Sequence, residues 1–447
     1  MAMFKCVLVR LNWILMVDSD RAQEAQKNPT LRSLMKGNIL ILTVSRVIWS
    51  ISGAVVRPYM SLYILALGGS KPVIGFSNAL ADLVGLFLYP LGGYIADKAG
   101  RAKLIGIATF LYASSFLFFI FAPSWEWLAV GMAYQQLVLF YMPALNALMA
   151  DSIPVGTRGK ILSMMMVIPE AVRIFIPFVG GWLIAVYTLQ PAMRIGYTLS
   201  FFLALVVAIM RYRYLTETIE NRTSIGRDIP HIMKESYREM YKSIRWVLGN
   251  LKGYMYISIL LAFIAAAVQP FYVLFATEVI GLSAYQWGTV LLAAGLSKTL
   301  LSITIGNLVD KWGARKCMFI ALIFGIPSLL AFTASTGFAT TVVIYVLLII
   351  SNAFIWIASN VLLADTIPKN TRGRVMAALG QGFNIGVSGG GYARGFILFI
   401  PATIGAFFGG YIYDYNPILP WLLQVVILVV SIALTYVYIK EPETAQT

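Results

Sequence analysis

Seven ionisable side chains lie inside long apolar stretches of this sequence. Five are cations and two are carboxylates, a net charge of 5 − 2 = +3: Arg46, Arg57, Asp82, Glu170, Arg173, Lys298 and Arg394. A charge in an apolar medium is costly, so such a residue is expected to pair, to reach water or to bind a substrate. Glu170 and Arg173 stand three residues apart and are expected to pair along one helix.

Most other chemistry is excluded by residue type. The sequence has one histidine, His231, and two cysteines, Cys6 and Cys317. So few histidines and cysteines argue against histidine-based catalysis, a disulfide framework and a metal site. The sequence also lacks the glycine-rich loop ending in Gly-Lys-Ser or Gly-Lys-Thr that would hold a nucleotide phosphate. We therefore expect no enzyme activity, no metal and no cofactor.

The elements that position these residues are membrane helices. Hydrophobic residues make up 59% of the 447 residues and charged residues 12%, with a net charge of +15. The basic residues fall in short loops between apolar runs, which indicates membrane topology and not nucleic-acid binding. Because a bilayer core takes about 20 apolar residues per helix, the runs predict twelve spans, near 38–66, 73–96, 102–122, 126–150, 158–187, 192–214, 252–280, 285–309, 315–335, 339–364, 372–412 and 418–439.

The chain is an internal duplication. The loop Gly93-Tyr-Ile-Ala-Asp97-Lys98-Ala-Gly100-Arg101 returns as Gly306-Asn-Leu-Val-Asp310-Lys311-Trp-Gly313-Ala-Arg315, and the aspartates are 310 − 97 = 213 residues apart. The stretch from Asn146 to Gly159 returns at an offset of 365 − 151 = 214, measured between Asp151 and Asp365. Pro58 and Pro270 repeat at 270 − 58 = 212. Three landmarks at one period indicate two homologous halves.

The repeated loop resembles the cytoplasmic loop signature of the major facilitator superfamily, G-x-x-x-D-[RK]-x-G-[RK]-[RK], present once in each half. Each copy departs at one position, Ala102 and Ala314. The resemblance covers about residues 36–440 and implies an all-α membrane protein with twelve transmembrane helices in two pseudo-symmetric six-helix halves. It also implies transport by alternating access, in a monomer that contacts membrane lipids and a small-molecule substrate.

The resemblance implies that charged residues of these loops latch one conformation. Physically, Gly93 and Gly306 would let helices approach and Gly100 and Gly313 would permit tight turns. Asp151 is expected to pair with Arg158, and Asp365 with Arg372. The alternative is that the loops only keep positive charge inside. The candidate latch residues are Gly93, Asp97, Lys98, Gly100, Arg101, Asp151, Arg158, Gly306, Asp310, Lys311, Gly313, Arg315, Asp365 and Arg372.

The division of the chain follows from its loops. We expect an N-terminal cytoplasmic or interfacial segment (1–35), two helical halves (36–214 and 251–440), a cytoplasmic linker (215–250) and a C-terminal tail (441–447). The N-terminal segment is either an interfacial helix or a disordered tail. The linker has one apolar helical face, which favours an amphipathic helix on the membrane surface over a solvated one. Basic loops on one side place both termini in the cytoplasm and the protein in the plasma membrane.

The eleventh span is too long for one helix. From Thr371 to Gly410 is 39 residues, whereas the matching stretch from Thr157 to Gly181 is 24. The surplus falls at the glycine-rich residues 386–395, and glycine-dense backbone holds a helix poorly. We expect either an unwound break within the membrane or an outer re-entrant loop.

Six residues are candidates for substrate binding or proton coupling: Arg57, Asp82, Glu170, Arg173, Gln269 and Lys298. The stretch from Pro177 to Gly181 resembles the antiporter signature of drug-exporting members, or is a kink with close packing. The first hypothesis is proton-linked export or exchange of a small organic solute, with Asp82 or Glu170 carrying the proton.

The alternative hypothesis is uptake or exchange of an organic anion, which the net positive charge of the spans favours. Arg57, Lys298 and Arg173 would then hold a carboxylate or phosphate. Pairing of these cations with backbone carbonyls and helix C-termini is the competing interpretation. A sensor or lipid scramblase on the same scaffold is a further alternative.

Overall fold

The structure, a computed structural model, describes residues 35–154, 158–218, 229–368, 372–387 and 393–439. Nearly all of them are helical. Within these ranges, eleven helical stretches are long and apolar enough to cross a membrane. The helix Lys71–Ala99 occupies the remaining span position, between the first and second of these stretches. The predicted all-α membrane architecture is confirmed.

The first half contains nine α-helices, because three of its six spans are interrupted. The spans are α1 (Gly37–Ser52) with a 3-10 turn (Arg57–Tyr59) and α2 (Met60–Ala66); α3 (Lys71–Ala99); α4 (Arg101–Ile120); α5 (Trp125–Val138) with a 3-10 turn (Leu139–Tyr141) and α6 (Met142–Ser152); α7 (Arg158–Arg173) with α8 (Ile176–Tyr187); and α9 (Leu189–Tyr214).

The linker and the second half follow the same plan. The linker forms α10 (Ile229–Asn250). The spans are α11 (Lys252–Val268) with a 3-10 turn (Gln269–Phe271), α12 (Tyr272–Leu274) and a π turn (Phe275–Val279); α13 (Ala284–Trp312); α14 (Ala314–Thr333); α15 (Phe338–Thr366); α16 (Arg372–Leu379), β1 (Gly380–Gln381), β2 (Ala393–Arg394), a 3-10 turn (Phe396–Leu398) and α17 (Phe399–Tyr415); and α18 (Leu419–Tyr438).

Equivalent spans of the two halves are broken at equivalent places. Pro58 lies in the 3-10 turn of the first span and Pro270 in that of the seventh. Proline has no backbone N–H and its ring clashes with the preceding helical turn, so a regular helix cannot continue through it. Each proline therefore explains the break in its span, and discontinuous helices of this kind border the central sites of many transporters.

Two glycines make the turns of the repeated loop. Gly100 has φ 91° between α3 and α4, and Gly313 has φ 89° between α13 and α14. Residues with a Cβ rarely adopt this conformation. The tight turn predicted at both positions is confirmed.

The eleventh span is unwound inside the bundle. β1 and β2 form a short antiparallel pair, with Gly380 opposite Arg394, so the chain leaves α16 and returns beside it. Between them, Phe383, Ile385 and Val387 are each at most 2% exposed. The described flanks of the insertion therefore lie inside the protein and not in an outer loop. Residues 388–392 are outside the described ranges.

Side chains from neighbouring helices satisfy the unwound backbone. The Phe383 N–H donates to Ser359 Oγ at 2.8 Å, and the Ile385 N–H donates to Asn352 Oδ1 at 3.0 Å. The Gln424 amide donates to the Ile385 carbonyl. Non-helical backbone at membrane depth is tolerated only when protein or water satisfies its polar groups. Here α15 and α18 supply those partners.

The halves meet along two helix pairs. α3 packs against α17, and α8 packs against α13. A Cβ at Gly75 of α3 would lie 2.4 Å from the Ala406 carbonyl oxygen of α17, so this approach needs glycine. Small residues let membrane helices approach this closely.

Candidate functional site

A cavity of about 160 Å³ lies between the two halves. The first half contributes residues of its broken first span and of the α7–α8 junction, and the second contributes residues of α13 and α15. The lining residues that carry charge are Arg57, Glu170 and Arg173 from the first half and Lys298 from the second. Four of the six candidate residues are thus brought together.

Three of these charges form one ion-pair network. Arg173 donates from Nε and from its terminal nitrogen to the two carboxylate oxygens of Glu170, at 2.8 and 2.7 Å. The predicted pairing along α7 is confirmed. Lys298 Nζ lies 3.5 Å from Glu170 Oε1. Since Lys298 comes from α13, this ion pair joins the halves within the cavity.

Arg57 is the fourth charge. It begins the 3-10 turn of the first span, where its backbone N–H bonds to the Gly53 carbonyl at 3.0 Å, and its side chain is exposed. No carboxylate in the described part of the chain forms an ion pair with it. The charged lining therefore sums to 3 − 1 = +2.

Side chains join the two halves at one end of the bundle. Lys71 Nζ, at the start of α3, lies 3.2 Å from Glu278 Oε2 in the π turn of the seventh span. Ser61 Oγ donates to the Pro270 carbonyl at 2.6 Å. Tyr59 donates to the Ala284 carbonyl of α13 at 3.3 Å and to a carbonyl of its own half at 2.7 Å. The sequence analysis did not identify Tyr59 and Ser61, because nothing in an apolar run indicates which of its hydroxyls contact the other half.

The resemblance to an antiporter signature falls on the same contact. A Cβ at Gly181 of α8 would lie 2.6 Å from the Ala284 carbonyl oxygen. A Cβ at Gly288 of α13 would lie 2.9 Å from the Pro177 carbonyl oxygen. The stretch from Pro177 to Gly181 thus packs α8 tightly against α13, as its structural interpretation predicts.

At the opposite end, the described latch residues contact their own half. Arg101 forms an ion pair with Asp151, which also accepts from the Thr218 hydroxyl at 3.3 Å. The expected partner of Asp151 was Arg158, whose side chain is outside the described residues. Arg101 follows the Gly100 turn directly, so its guanidinium reaches the end of α6.

The second copy of the loop differs from the first. Arg315 donates to the Tyr436 carbonyl near the end of α18 at 2.8 Å, while Asp310 and Lys311 are exposed and Asp365 is half-buried. Basic side chains favour helix C-termini, where carbonyls carry partial negative charge. The surroundings of Gly93 and the side chains of Asp97, Lys98 and Arg372 are outside what the structure describes.

The close helix approach expected at Gly306 is wrong for this structure. Among the described residues, no atom of a neighbouring element lies within 4 Å of the position that its Cβ would occupy. On the neighbouring turn, the Ile303 side chain is 75% exposed. α13 is therefore open at Gly306 itself, although the neighbouring Ile305 and Val309 are 2% and 1% exposed. At its beginning, near Ala284, α13 packs against α8.

Two candidates lie away from the cavity. Asp82 is 7% exposed and lies one helical turn from Ala79, which packs with Ala402 and Ala406 of α17. It is therefore buried on the face of α3 that meets the other half. Gln269 donates to the Val387 carbonyl at 3.3 Å, so its amide supports the unwound segment.

One buried cation was missed. Arg211 of α9 is 2% exposed, and its guanidinium lies 3.2 Å from Thr109 Oγ1, 3.4 Å from the Tyr141 hydroxyl and 5.5 Å from the Trp49 ring centroid. It is not among the intramembrane cations that the sequence analysis names. Its spacing of three, four and seven residues from Ala208, Val207 and Ala204 would have placed it on the buried face.

The predicted linker helix exists and docks on the bundle. α10 packs against α3 and α16, and the Tyr237 hydroxyl donates to the Phe87 carbonyl of α3 at 2.8 Å. The Tyr237 ring lies 6.0 Å from that of Phe396, which precedes α17. The linker helix therefore contacts both halves instead of only lying on a membrane surface.

Comparisons with known proteins agree with this architecture. The family model described as Major Facilitator Superfamily matches residues 41–391 and, in a second match, residues 257–447. "Multidrug resistance protein 2" of Bacillus subtilis (strain 168) is 23% identical over 91% of this chain and 96% of its own. "Uncharacterized MFS-type transporter YuxJ" of the same organism is 26% identical over 64% of this chain and 73% of its own.

A solved structure has the same fold. A bacterial homologue of the human lysosomal transporter Spinster, in an inward-facing conformation, matches with a TM-score of 0.64 and 14% identity. The match covers 90% of this chain and 96% of that one.

Proposed function

The chain belongs to the major facilitator superfamily, and on this premise we propose that it moves a small organic solute across the membrane by alternating access. One observation carries the proposal. The cavity is lined by both halves, and the halves are joined at one end by the Lys71–Glu278 ion pair and the Ser61 hydrogen bond. A site at the interface of two repeats can be exposed to either side when the repeats rock about it.

The basic loops orient the protein. Loops rich in lysine and arginine stay in the cytoplasm, which places the Gly100 and Gly313 turns, the linker and both termini on the cytoplasmic side. The joined end is then the outer end, and the conformation faces inward.

Proton-linked export or exchange is the first candidate for the energetics. The names of the relatives include multidrug resistance proteins. Glu170 holds a cation from each half, so protonation of this carboxylate would release both cations and weaken a link between the halves. Asp82 is buried where α3 meets α17 and is the second possible proton carrier.

Reconstituted protein tests this proposal. Vesicles containing the full chain and an internal pH-sensitive dye would be challenged with a panel of neutral, cationic and anionic organic solutes. A solute that is exchanged for protons changes the internal pH in wild-type vesicles, but not in empty vesicles or in an Asp82→Asn, Glu170→Gln double variant. Solute movement without a pH change would contradict proton coupling and leave transport intact. Absence of any solute movement would contradict the transport function itself.

Uptake or exchange of an organic anion is the second candidate. The charge of +2 on the cavity lining favours it specifically.

A further inference from the structure

We infer that the cavity is an anion-binding site, in which Arg57 and Lys298 hold the carboxylate or phosphate group of a compact organic solute. The inference rests on the proposed transport function, because it names the substrate class of the same cavity. It is carried by how the four charged residues are arranged and not only by their number.

Glu170 is hydrogen-bonded mainly to Arg173. Both of its oxygens accept from that guanidinium, at 2.8 and 2.7 Å, which is normal hydrogen-bond length for such a pair. Lys298 is held at the longer distance of 3.5 Å. An ammonium has three donors, so Lys298 keeps most of its hydrogen-bonding capacity for another acceptor. Displacing it from Glu170 leaves both shorter bonds of that carboxylate in place.

Arg57 has no such carboxylate. In the described ranges it forms no ion pair, and the only acidic residue lining the cavity there is Glu170. A guanidinium presents its donors in a rigid fork that fits two oxygens of one carboxylate or phosphate. The 3-10 turn fixes the backbone position of Arg57, because Pro58 follows it directly and prevents a regular helix.

The two cations belong to different halves. Arg57 lies in the broken first span and Lys298 in α13. An anion bound to both would touch both rigid units of the transporter. Its binding would therefore favour the conformation in which the halves converge on the cavity, as alternating access requires.

The remaining lining limits the size and character of the solute. Pro58, Ile174, Leu291 and Ile349 contribute apolar surface beside the charges. The volume of about 160 Å³ is below the roughly 300–1,000 Å³ typical of pockets for drug-sized ligands. A small amphipathic anion fits this cavity better than a large drug molecule.

Matched probes test the inference on the detergent-purified full chain. Benzoate and benzamide have nearly the same shape but differ in charge, and inorganic phosphate tests the second anion class. We expect benzoate or phosphate, but not benzamide, to raise the thermal unfolding midpoint, because bound ligand stabilises the folded state. Arg57→Gln and Lys298→Gln should each weaken anion binding about tenfold or more, as loss of a charged hydrogen bond implies.

Two further variants distinguish binding from damage. Glu170→Gln raises the charge of the lining from +2 to +3 and should strengthen anion binding, which loss of folding cannot imitate. Arg46→Gln removes an intramembrane cation that hydrogen-bonds to Met166 outside the cavity, and it should leave anion binding unchanged.

The inference is overturned if neither anion stabilises the wild type, if benzamide acts equally, or if Glu170→Gln weakens anion binding. It is also overturned if Arg57→Gln leaves the affinity intact. Stabilisation by phosphatidylglycerol alone would assign the site to a lipid headgroup and refute a soluble substrate. The proposed function is judged separately, by whether a cysteine at Ala294 in the cavity can be labelled from each side in turn. If it can while anions fail to bind, transport stands and the anion assignment falls.

Discussion

On the proposed orientation, the end at which Lys71 and Ser61 join the halves is the outer end, and it should open more often when these contacts are removed. Ser61→Ala deletes the 2.6 Å hydrogen bond to the Pro270 carbonyl. One hydrogen bond contributes about 0.5–1.5 kcal/mol, so its loss should shift the equilibrium between closed and open about 2- to 13-fold towards the outward-open state. Lys71→Gln deletes a partly exposed ion pair that contributes about 0.2–1 kcal/mol, and it should shift the same equilibrium less.

Cysteine labelling measures this shift. Cys6 and Cys317 would be replaced by serine, and a reporter cysteine placed at Ala294, which lines the cavity. A membrane-impermeant maleimide added outside should label the reporter faster in Ser61→Ala than in the parent. Ser50→Ala is the matched control, because that hydroxyl bonds to the Val47 carbonyl of its own helix. Equal labelling rates in the two variants would refute the idea that this contact holds the outer end closed.

Three further predictions concern the support of the unwound segment, the proton carriers and the cytoplasmic loop. Asn352→Ala leaves a buried N–H of the unwound segment unsatisfied and should lower the unfolding free energy by about 1–3 kcal/mol. The control is Asn360→Ala, because the Asn360 amide bonds within its own helix. Thermal unfolding should show a smaller loss of stability for the control. Asp82→Asn with Glu170→Gln should make transport insensitive to an imposed pH gradient, and persisting sensitivity would exclude both carboxylates as the proton carriers. Asp97→Asn should make cysteines at the cytoplasmic end more accessible and slow transport; unchanged accessibility would reduce the loop to a topology signal.

The features predicted well from sequence are those that one helix or one turn determines by itself. Membrane thickness sets the length of each apolar run, so the spans were evident. Pro58 must break a helix, and Gly100 and Gly313 suit a turn that other residues rarely adopt. Glu170 and Arg173 pair because three residues bring them to one helical face.

Contacts between helices were harder to predict, because they depend on how each helix is rotated. Asp151 meets Arg101 across two helices, a contact that no spacing along the chain indicates. Arg211 lies close to the end of α9, and the rotation of that helix buries its side chain. The partners of the unwound segment come from α15 and α18, which precede and follow it in the chain, and no spacing rule connects them.

The duplication also shows where the two halves have diverged. Arg57 and Gln269 begin equivalent 3-10 turns, each followed by proline. Gln269 donates to the Val387 carbonyl, an acceptor that exists because the eleventh span carries an insertion absent from the fifth. In the first half the equivalent residue, Arg57, lines the cavity instead. The neutral amide of Gln269 suits a structural bond to one carbonyl. A guanidinium buried at position 269 would need a counter-charge. The break in the seventh span therefore supports the fold. On the inference above, the equivalent break in the first span binds the substrate. If so, Gln269→Ala should lower thermal stability without changing the preference for benzoate over benzamide. Arg57→Gln should reduce that preference without lowering thermal stability.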